Sequence, residues 1–542
     1  MLTPRPTVAD MRTSFAWDIP EYYNIGVDIC DRVAAIRPDD LAIIDVAANG
    51  TDRRYSFGDL QTLSNRLAHV LAERAQRGDR IAVLLPQSID TALSHIAIAK
   101  TGCIAVPLFT QFGPDALLHR LRDSGTRIVI TNRLGRKTVF GLQDKLPDLK
   151  YVLVTDEIED LPTLCRQKAD SFSAVETRAD DPAILIYTSG TTGPPKGALH
   201  AHRVLLGHLP GVEMSHDFFP QPDDAIWTPA DWAWIGGLLD VLMPALHHGV
   251  PVVACRFDKF TAQAAVDLIR KYGIRNAFLP PTALKMMRRD APDGPLPMRS
   301  IASGGETLGK ELISWGQSVF GTTINEFYGQ TECNMIVSSC DAVAPAEPGV
   351  MGFAVPGHDV EVIDDDGKIR DIDQEGNIAV RTPDPVMFLE YWNNPKATAD
   401  KYITVDNEKW LLTGDRGCKT ETGRIRFVGR NDDIISSGGY RIGPAEIEDC
   451  LLTHPAVQMA GVVGQPDPVR GAVVAAYVQL ASGHTPTDHL ADDIANHVKS
   501  RLAAYEYPRV VRFIDDMPMT TTGKIIRADL RRRAEKDAEN DR

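Results

Sequence analysis

An apolar run, Ala183-Ile-Leu-Ile186, leads directly into Tyr187-Thr-Ser-Gly-Thr-Thr-Gly-Pro-Pro-Lys-Gly197, and this junction constrains the chain more than any other segment. The run reads as a buried strand. The ten residues after Tyr187 hold four hydroxyl side chains, three glycines and one lysine. Glycine lets backbone approach an anion closely, successive N–H groups form an anion-binding nest, and Lys196 adds positive charge. A phosphate-gripping loop at the end of a buried strand is therefore expected. It is not a Walker loop, which needs Gly-Lys followed by Ser or Thr: Lys196 stands between Pro195 and Gly197, and Gly523-Lys524 is followed by Ile525.

The rest of the first half supports an α/β reading. Residues 59–77 place Leu60, Leu63, Leu67, Val70 and Leu71 at helical spacing. Strands are expected at 81–85, 128–130 and 151–154, with a helix at 91–100. Helices alternating with continuous apolar strands imply parallel sheets covered on both faces. From about Val360 the texture changes. Strands at 360–363, 377–380 and 424–428, separated by turns such as Asp366-Gly367, predict a small antiparallel, β-barrel-like subdomain. Beyond a polar stretch at 429–433 lies a compact α/β tail, with a helix at 444–452, strands near 460–463 and 473–480, and a helix at 490–504. The boundary is placed at 430–433, giving domains 1–431 and 432–542, and residues 531–542 read as a charged, frayed end.

Composition narrows the function classes. The 542 residues are 43% hydrophobic and 24% charged, and 58 basic against 73 acidic side chains give a net charge of −15. That argues against a nucleic-acid surface. Eight scattered cysteines without Cys-x-x-Cys point to reduced thiols rather than a disulfide frame or zinc site. The first 25 residues hold no continuous apolar run and no stretch reaches 18 apolar residues, so no secretion signal or membrane span is expected and a cytoplasmic location is inferred.

Four further polar-glycine clusters follow strand-like runs: Ser303-Gly-Gly-Glu306, Tyr328-Gly-Gln-Thr-Glu332, Thr413-Gly-Asp415 and Gly429-Arg430. Loops at strand ends are where open α/β sheets bind ligands. With these motifs, and with Pro518-Met-Thr-Thr-Thr-Gly-Lys-Ile-Ile526, the chain resembles the adenylate-forming superfamily of acyl-CoA synthetases, peptide-synthetase adenylation domains and firefly-type luciferases, in the family's motif order and over nearly its whole length. Ile19-Pro-Glu-Tyr-Tyr-Asn24 is similar to the medium-chain acyl-CoA synthetase branch.

The resemblance implies a mobile C-terminal domain and a reaction in two halves. Carboxylic acid and ATP give an acyl adenylate and pyrophosphate, and CoA then gives acyl-CoA and AMP. It implies that Thr188, Ser189, Gly190, Thr191, Thr192, Gly193 and Lys196 hold the β- and γ-phosphates. Gly304, Gly305 and Glu306 line adenine, as does the segment Glu326, Phe327, Tyr328, Gly329 and Gln330, with Tyr328 against its face. Thr331 contacts phosphate, Glu332 holds Mg²⁺, and Asp415 and Arg430 contact ribose. Lys524 acts on the α-phosphate and carboxylate, Asp432 is the hinge, and Gly438, Gly439, Tyr440 and Arg441 serve CoA. The acyl pocket is assigned to Trp232, Trp234, Gly304 and Gly329. Acetate-specific relatives carry Trp at the position of Gly329 and Val at that of Gly304, so an acid larger than acetate is expected: short-to-medium aliphatic, branched or aryl. A carrier-protein-loading adenylation enzyme and a catalytically silent nucleotide-binding regulator are the alternatives. A homodimer, and a lysine acyltransferase acting on Lys524, are the macromolecular partners considered.

Overall fold

The computed structural model describes residues 2–188, 195–257, 259–290, 294–306, 308–430, 433–437, 440–467, 470–502, 506–520 and 524–540. The phosphate-loop residues Ser189, Gly190, Thr191, Thr192 and Gly193, the hinge residue Asp432 and the CoA residues Gly438 and Gly439 lie outside them. The chain divides into two compact units, one of Met1–Asp359 with Arg381–Tyr402, the other of Val360–Val380 with Ile403–Arg542.

In the first unit, among the described residues, one sheet has nine strands and another seven. The nine-stranded sheet is parallel from Ile324–Gln330 through Ser300–Gly304, Asn276–Phe278, Ile226–Trp227 and Val252–Cys255 to Leu41–Val46. Antiparallel strands extend it at both ends, Asn334–Ser338 and Phe353–Ala354 at one and Asp52–Ser56 at the other. The seven-stranded sheet is parallel from Pro182–Thr188 through Ile104–Pro107, Arg80–Leu84 and Ile128–Thr131 to Tyr151–Val154. Its other edge is antiparallel, with Lys196–Ala201 and then Glu390–Tyr391. The central strands are buried on both faces, which is why they are written as unbroken apolar runs such as Ile81-Ala-Val-Leu84.

Local chemistry fixes the element ends. The helix Phe57–Ala72 starts before the first leucine of its apolar stripe because Ser56 and Asp59 form a reciprocal capping box, with Ser56 Oγ accepting from the Asp59 N–H at 3.2 Å and the Asp59 carboxylate accepting from the Ser56 N–H at 2.9 Å. The tail helix Pro444–Leu452 begins on a proline, which loses no hydrogen bond in the first helical turn.

The second unit holds two sheets of five strands each among the described residues. The first runs Val360–Ile363, Gly376–Arg381, Glu408–Lys419 and Tyr402–Val405, with Ile425–Arg430 also on Glu408–Lys419, so its pairing is that of an open, branched sheet. The second runs Tyr440–Ile442, Ile435–Ser437, Gly471–Leu480 and Val457–Asp467, with Val510–Phe513 parallel to Gly471–Leu480. The expectation of a frayed terminus is corrected: Arg527–Asn540 is a helix. Leu530, Ala534 and Ala538, four residues apart, are buried on one face of it, and this thin stripe among charges docks it on the strand Val457–Asp467.

Candidate active site

The strand Pro182–Thr188 turns back on itself: Thr188 is paired with Lys196 and Tyr187 with Gly197. The phosphate segment is thus flanked by two strands of an antiparallel pair, whereas a Walker loop is followed by a helix. Its base is rigid. Tyr187 is buried and its hydroxyl donates to Asp123 Oδ2 at 2.7 Å. Gly197 is closely packed: a Cβ there would lie 2.9 Å from Leu185 Cδ1 and 3.2 Å from Tyr187 Cζ, so a larger residue would have to displace them. Lys196 is left half-exposed, with its Nζ 5.2 Å from the centroid of the Tyr391 ring.

Tyr391 is a candidate site residue that the motifs miss. It lies on the edge strand Glu390–Tyr391, paired with Ala198 just beyond the phosphate lysine. Its hydroxyl donates to Glu332 Oε1, and both side chains are buried. One phenol therefore holds the carboxylate expected to carry the metal and lies beneath the lysine expected to carry phosphate. Tyr391→Phe should leave the fold intact and free the Glu332 carboxylate to rotate. The expected result is a rise of about tenfold in the Mg²⁺ concentration needed for half-maximal activity, from the 10–100-fold typical of lost outer-shell partners. An unchanged Mg²⁺ titration would remove Tyr391 from the site.

The motif expected to contact adenine lies within the nine-stranded sheet. Ser303 and Gly304 end one strand, and Ser303 Oγ donates to the Leu279 carbonyl at 2.7 Å. Gly305 turns out of the sheet at φ +94, a left-handed value that favours glycine, and is exposed, followed by half-exposed Glu306, whose carboxylate lies 3.4 Å from Lys285 Nζ. Tyr328, Gly329 and Gln330 were expected in a loop but continue the strand from Glu326 and Phe327, with a register shift between Tyr328 and Gly329. Thr331 and Glu332 follow in the turn to Asn334–Ser338. Gln330 Oε1 accepts from Lys401 Nζ at 3.0 Å.

The acyl assignment needs one correction. A Cβ on Gly329 would overlap the Asn334 carbonyl oxygen and lie 3.0 Å from Met335 Cα. The space that a larger residue would fill is thus occupied here by backbone of the neighbouring strand, and Gly329 does not mark an empty slot. Gly304 is likewise covered, with Phe327 ring carbon and carbonyl oxygen 2.6 and 2.7 Å from an added Cβ. Trp232 is buried in the core and Trp234 is half-exposed. The Trp234 ring lies 5.7 Å from those of Phe109 and Phe112. Asp231 presents it by accepting from the Ala233 N–H at 2.8 Å, and burial pushes the Asp231 carboxyl up to about 6.

In the second unit, Asp415 and Arg430 are brought together: they pair across adjacent strands, with Arg430 Nε 3.7 Å from Asp415 Oδ1. Thr413-Gly-Asp415 was expected at a strand end but lies within Glu408–Lys419, where Gly414 takes φ +80 and Thr413 Oγ1 accepts from the Asp415 N–H at 3.1 Å. Tyr440 and Arg441 belong to the strand Tyr440–Ile442. Lys524 is exposed, its N–H donating to Thr520 Oγ1 at 3.0 Å while the Thr520 N–H donates to its carbonyl at 2.7 Å. Three residues on, Arg527 donates to buried Glu448 and lies 3.7 Å from Asp433, which Arg531 also binds. The residue after the expected hinge is thereby tied to the helix that follows the lysine.

His202 Nδ1 accepts from the Ile25 N–H at 3.2 Å, and His247 and His248 end the helix Met243–His248, 2.6 Å from Asp28 and 3.1 Å from Glu213. Among the described residues no group of three or more His, Cys, Asp or Glu is placed to hold a metal, and no helix is long and apolar enough to cross a membrane.

Residues 30–392 match the family of AMP-binding enzymes, and residues 446–524 match the AMP-binding enzyme C-terminal domain. The Mus musculus "Acyl-coenzyme A synthetase ACSM3, mitochondrial" is 32% identical over 96% of this chain and 92% of its own length. The Rattus norvegicus "Acyl-coenzyme A synthetase ACSM2, mitochondrial" is 33% identical over 95% and 92%. The anthranilate CoA ligase AuaEII, solved with anthranoyl-AMP, superposes with a TM-score of 0.86 at 27% identity, over 96% of this chain and 99% of that one. The mitochondrial names of the mammalian relatives overturn the expectation of a cytoplasmic location. An apolar-run test sees secretion signals and membrane spans, whereas mitochondrial transit peptides are amphipathic and arginine-rich and escape it. Two matched domains in order and end-to-end similarity to these synthetases lead to one conclusion: the chain belongs to the AMP-binding enzyme family, among its acyl-coenzyme A synthetases.

Proposed function

We propose that this AMP-forming acid–CoA ligase acts on an acid larger than acetate, with the chemistry divided between domains 1–431 and 432–542. The size of the acid is taken from the similarity to the anthranilate CoA ligase solved with anthranoyl-AMP, since neither Gly304 nor Gly329 opens a slot. The convergence of Lys196 and Glu332 on Tyr391 carries the ligase chemistry. It brings the lysine proposed to bind phosphate and the carboxylate proposed to bind the metal together beside the Gly/Thr-rich segment. A single buried carboxylate suits Mg²⁺, which takes its other ligands from phosphate oxygens and water and would neutralise charge on the departing pyrophosphate.

In the first half-reaction a carboxylate oxygen of the acid attacks the α-phosphorus and the bond to the β-phosphate oxygen breaks. Lys196, Thr188 and the segment 189–193 hold the departing pyrophosphate, Thr331 contacts phosphate, and Lys524 stabilises charge on the α-phosphoryl oxygens in flight. Gly304–Glu306 and Glu326–Gln330 hold adenine, and Asp415 and Arg430 hold ribose. In the second half-reaction the CoA thiolate attacks the acyl carbon and AMP leaves. Asp432 acts as the swivel between the halves, and Gly438, Gly439, Tyr440 and Arg441 admit the pantetheine arm. Regulation by acylation of Lys524 is consistent with its exposure.

The test is AMP release with ATP, Mg²⁺, CoA and a panel of straight acids from C2 to C10, branched acids and benzoate. CoA-dependent AMP release should be highest with an acid larger than acetate. Turnover confined to acetate, or AMP released only when a carrier protein replaces CoA, would overturn the reading.

A further inference from the structure

From the expected acyl site a run of packed side chains leads to a buried polar pair. Beginning at Gly304, the Phe327 ring covers the glycine and lies 5.4 Å from the Phe278 ring. Phe278 in turn covers Gly236, its Cε1 being 2.8 Å from a Cβ built there. Gly236 is two residues beyond Trp234 and is itself half-exposed. The same built Cβ lies 3.4 Å from Asp240 Oδ2, because residues four apart on a helical segment share a face. Asp240 Oδ1 lies 2.8 Å from His208 Nε2, and the His208 side chain is fully buried.

A second route reaches the same histidine. His208 lies on the helix Val204–Ser215 with Gly211 three residues on, and a Cβ at Gly211 would lie 2.9 Å from Met335 Sδ. Met335 is the register partner of Gly329. The helix face that carries His208 therefore meets the strand beside Gly329, while Asp240 meets the wall beside Gly236.

The pair is incomplete. Neither ring nitrogen of His208 makes a well-aligned hydrogen bond among the described residues: Nε2 lies 2.8 Å from Asp240 Oδ1, and Nδ1 has no partner. An orphaned buried polar atom is costly and rare in native interiors, so it calls for a partner from water or ligand. With Nε2 2.8 Å from Asp240 Oδ1, Nδ1 remains as a hydrogen-bonding position, with fully buried His200 as a second histidine nearby. Asp240 disfavours a second carboxylate on the substrate. A hydroxyl suits the position in either tautomer of the imidazole, because it both donates and accepts.

We propose that the acyl site ends on the His208–Asp240 pair and that the preferred acids carry a hydroxyl group on the acyl chain. The inference rests on the acid–CoA ligase reading and deepens it. A site built to bond a substrate hydroxyl rejects the analogue lacking it far more strongly than an apolar pocket rejects an added methylene. The measurement is kcat/KM for straight acids from C4 to C8, each against its hydroxylated counterparts, in the wild type, His208→Leu and His208→Gln. In the wild type at least one hydroxylated acid should exceed its alkyl partner about tenfold or more. His208→Leu should collapse that ratio or invert it, and His208→Gln, which keeps a donor and an acceptor, should retain part of it. Thermal unfolding of each variant separates a lost preference from a lost fold. Alkyl acids outrunning every hydroxylated partner in the wild type, or a ratio unmoved by His208→Leu, would overturn the proposal. No CoA-dependent AMP release with any acid would instead strike at the ligase reading itself.

Discussion

Lys524→Ala should lose acid-dependent exchange of pyrophosphate into ATP by about 10²–10³-fold, the size expected when one fixed donor to a charge in flight is removed. The same variant should form thioester from added acyl adenylate and CoA at a rate close to that of the wild type. The reason is chemical: the first step concentrates negative charge on the transferring phosphoryl group, whereas the second begins from an adenylate whose leaving group is already made. Lys524 is suited to a role that depends on reach. Its side chain is exposed, while its backbone is pinned on both sides by Thr520. Lys524→Gln should match the alanine variant, since acylation removes the same positive charge. Equal losses in both half-reactions would show that the lysine does not divide them.

The sequence made some parts of this chain legible for identifiable reasons. The strand Val360–Ile363 and the helix Pro444–Leu452 fall where their residues predict, because Asp366-Gly367 closes the one and Pro444 opens the other. The parallel cores were legible because strands buried on both faces must be apolar throughout. Glycines misled the reading where it took them as strand ends. At Tyr328-Gly329 and Thr413-Gly-Asp415 the strand runs on, through a register shift in the first case and a left-handed Gly414 in the second. The terminal helix was hidden because three small or apolar residues suffice to dock it among many charges. Tyr391 was invisible for another reason. Its partner Glu332 is 59 positions away, and only the pairing of the edge strand Glu390–Tyr391 with Lys196–Ala201 brings its hydroxyl back to the site.

Gly329→Trp should fail to give a stably folded protein, and Gly329→Ala should already cost more than about 3 kcal/mol, beyond the usual range for overpacking. In most over-filled sites a flexible side chain yields. Here the first atom of any side chain would overlap the Asn334 carbonyl oxygen and press on Met335 Cα, and both belong to backbone. Asn334 has little freedom to retreat. It takes φ +49, and its Nδ2 donates to the Val386 carbonyl at 3.1 Å. Moving it would also disturb the strand Asn334–Ser338, which packs on the helix Val204–Ser215. The substitution that, by sequence alone, should wall off the pocket and redirect the enzyme toward acetate is thus expected to break the hairpin that carries Thr331 and Glu332. Soluble yield and the midpoint of thermal unfolding decide the matter, with the chain-length profile of any folded remainder. A Gly329→Trp protein that unfolds at the wild-type temperature and prefers acetate would mean that this hairpin can shift its register, and that residue 329 sets pocket depth after all.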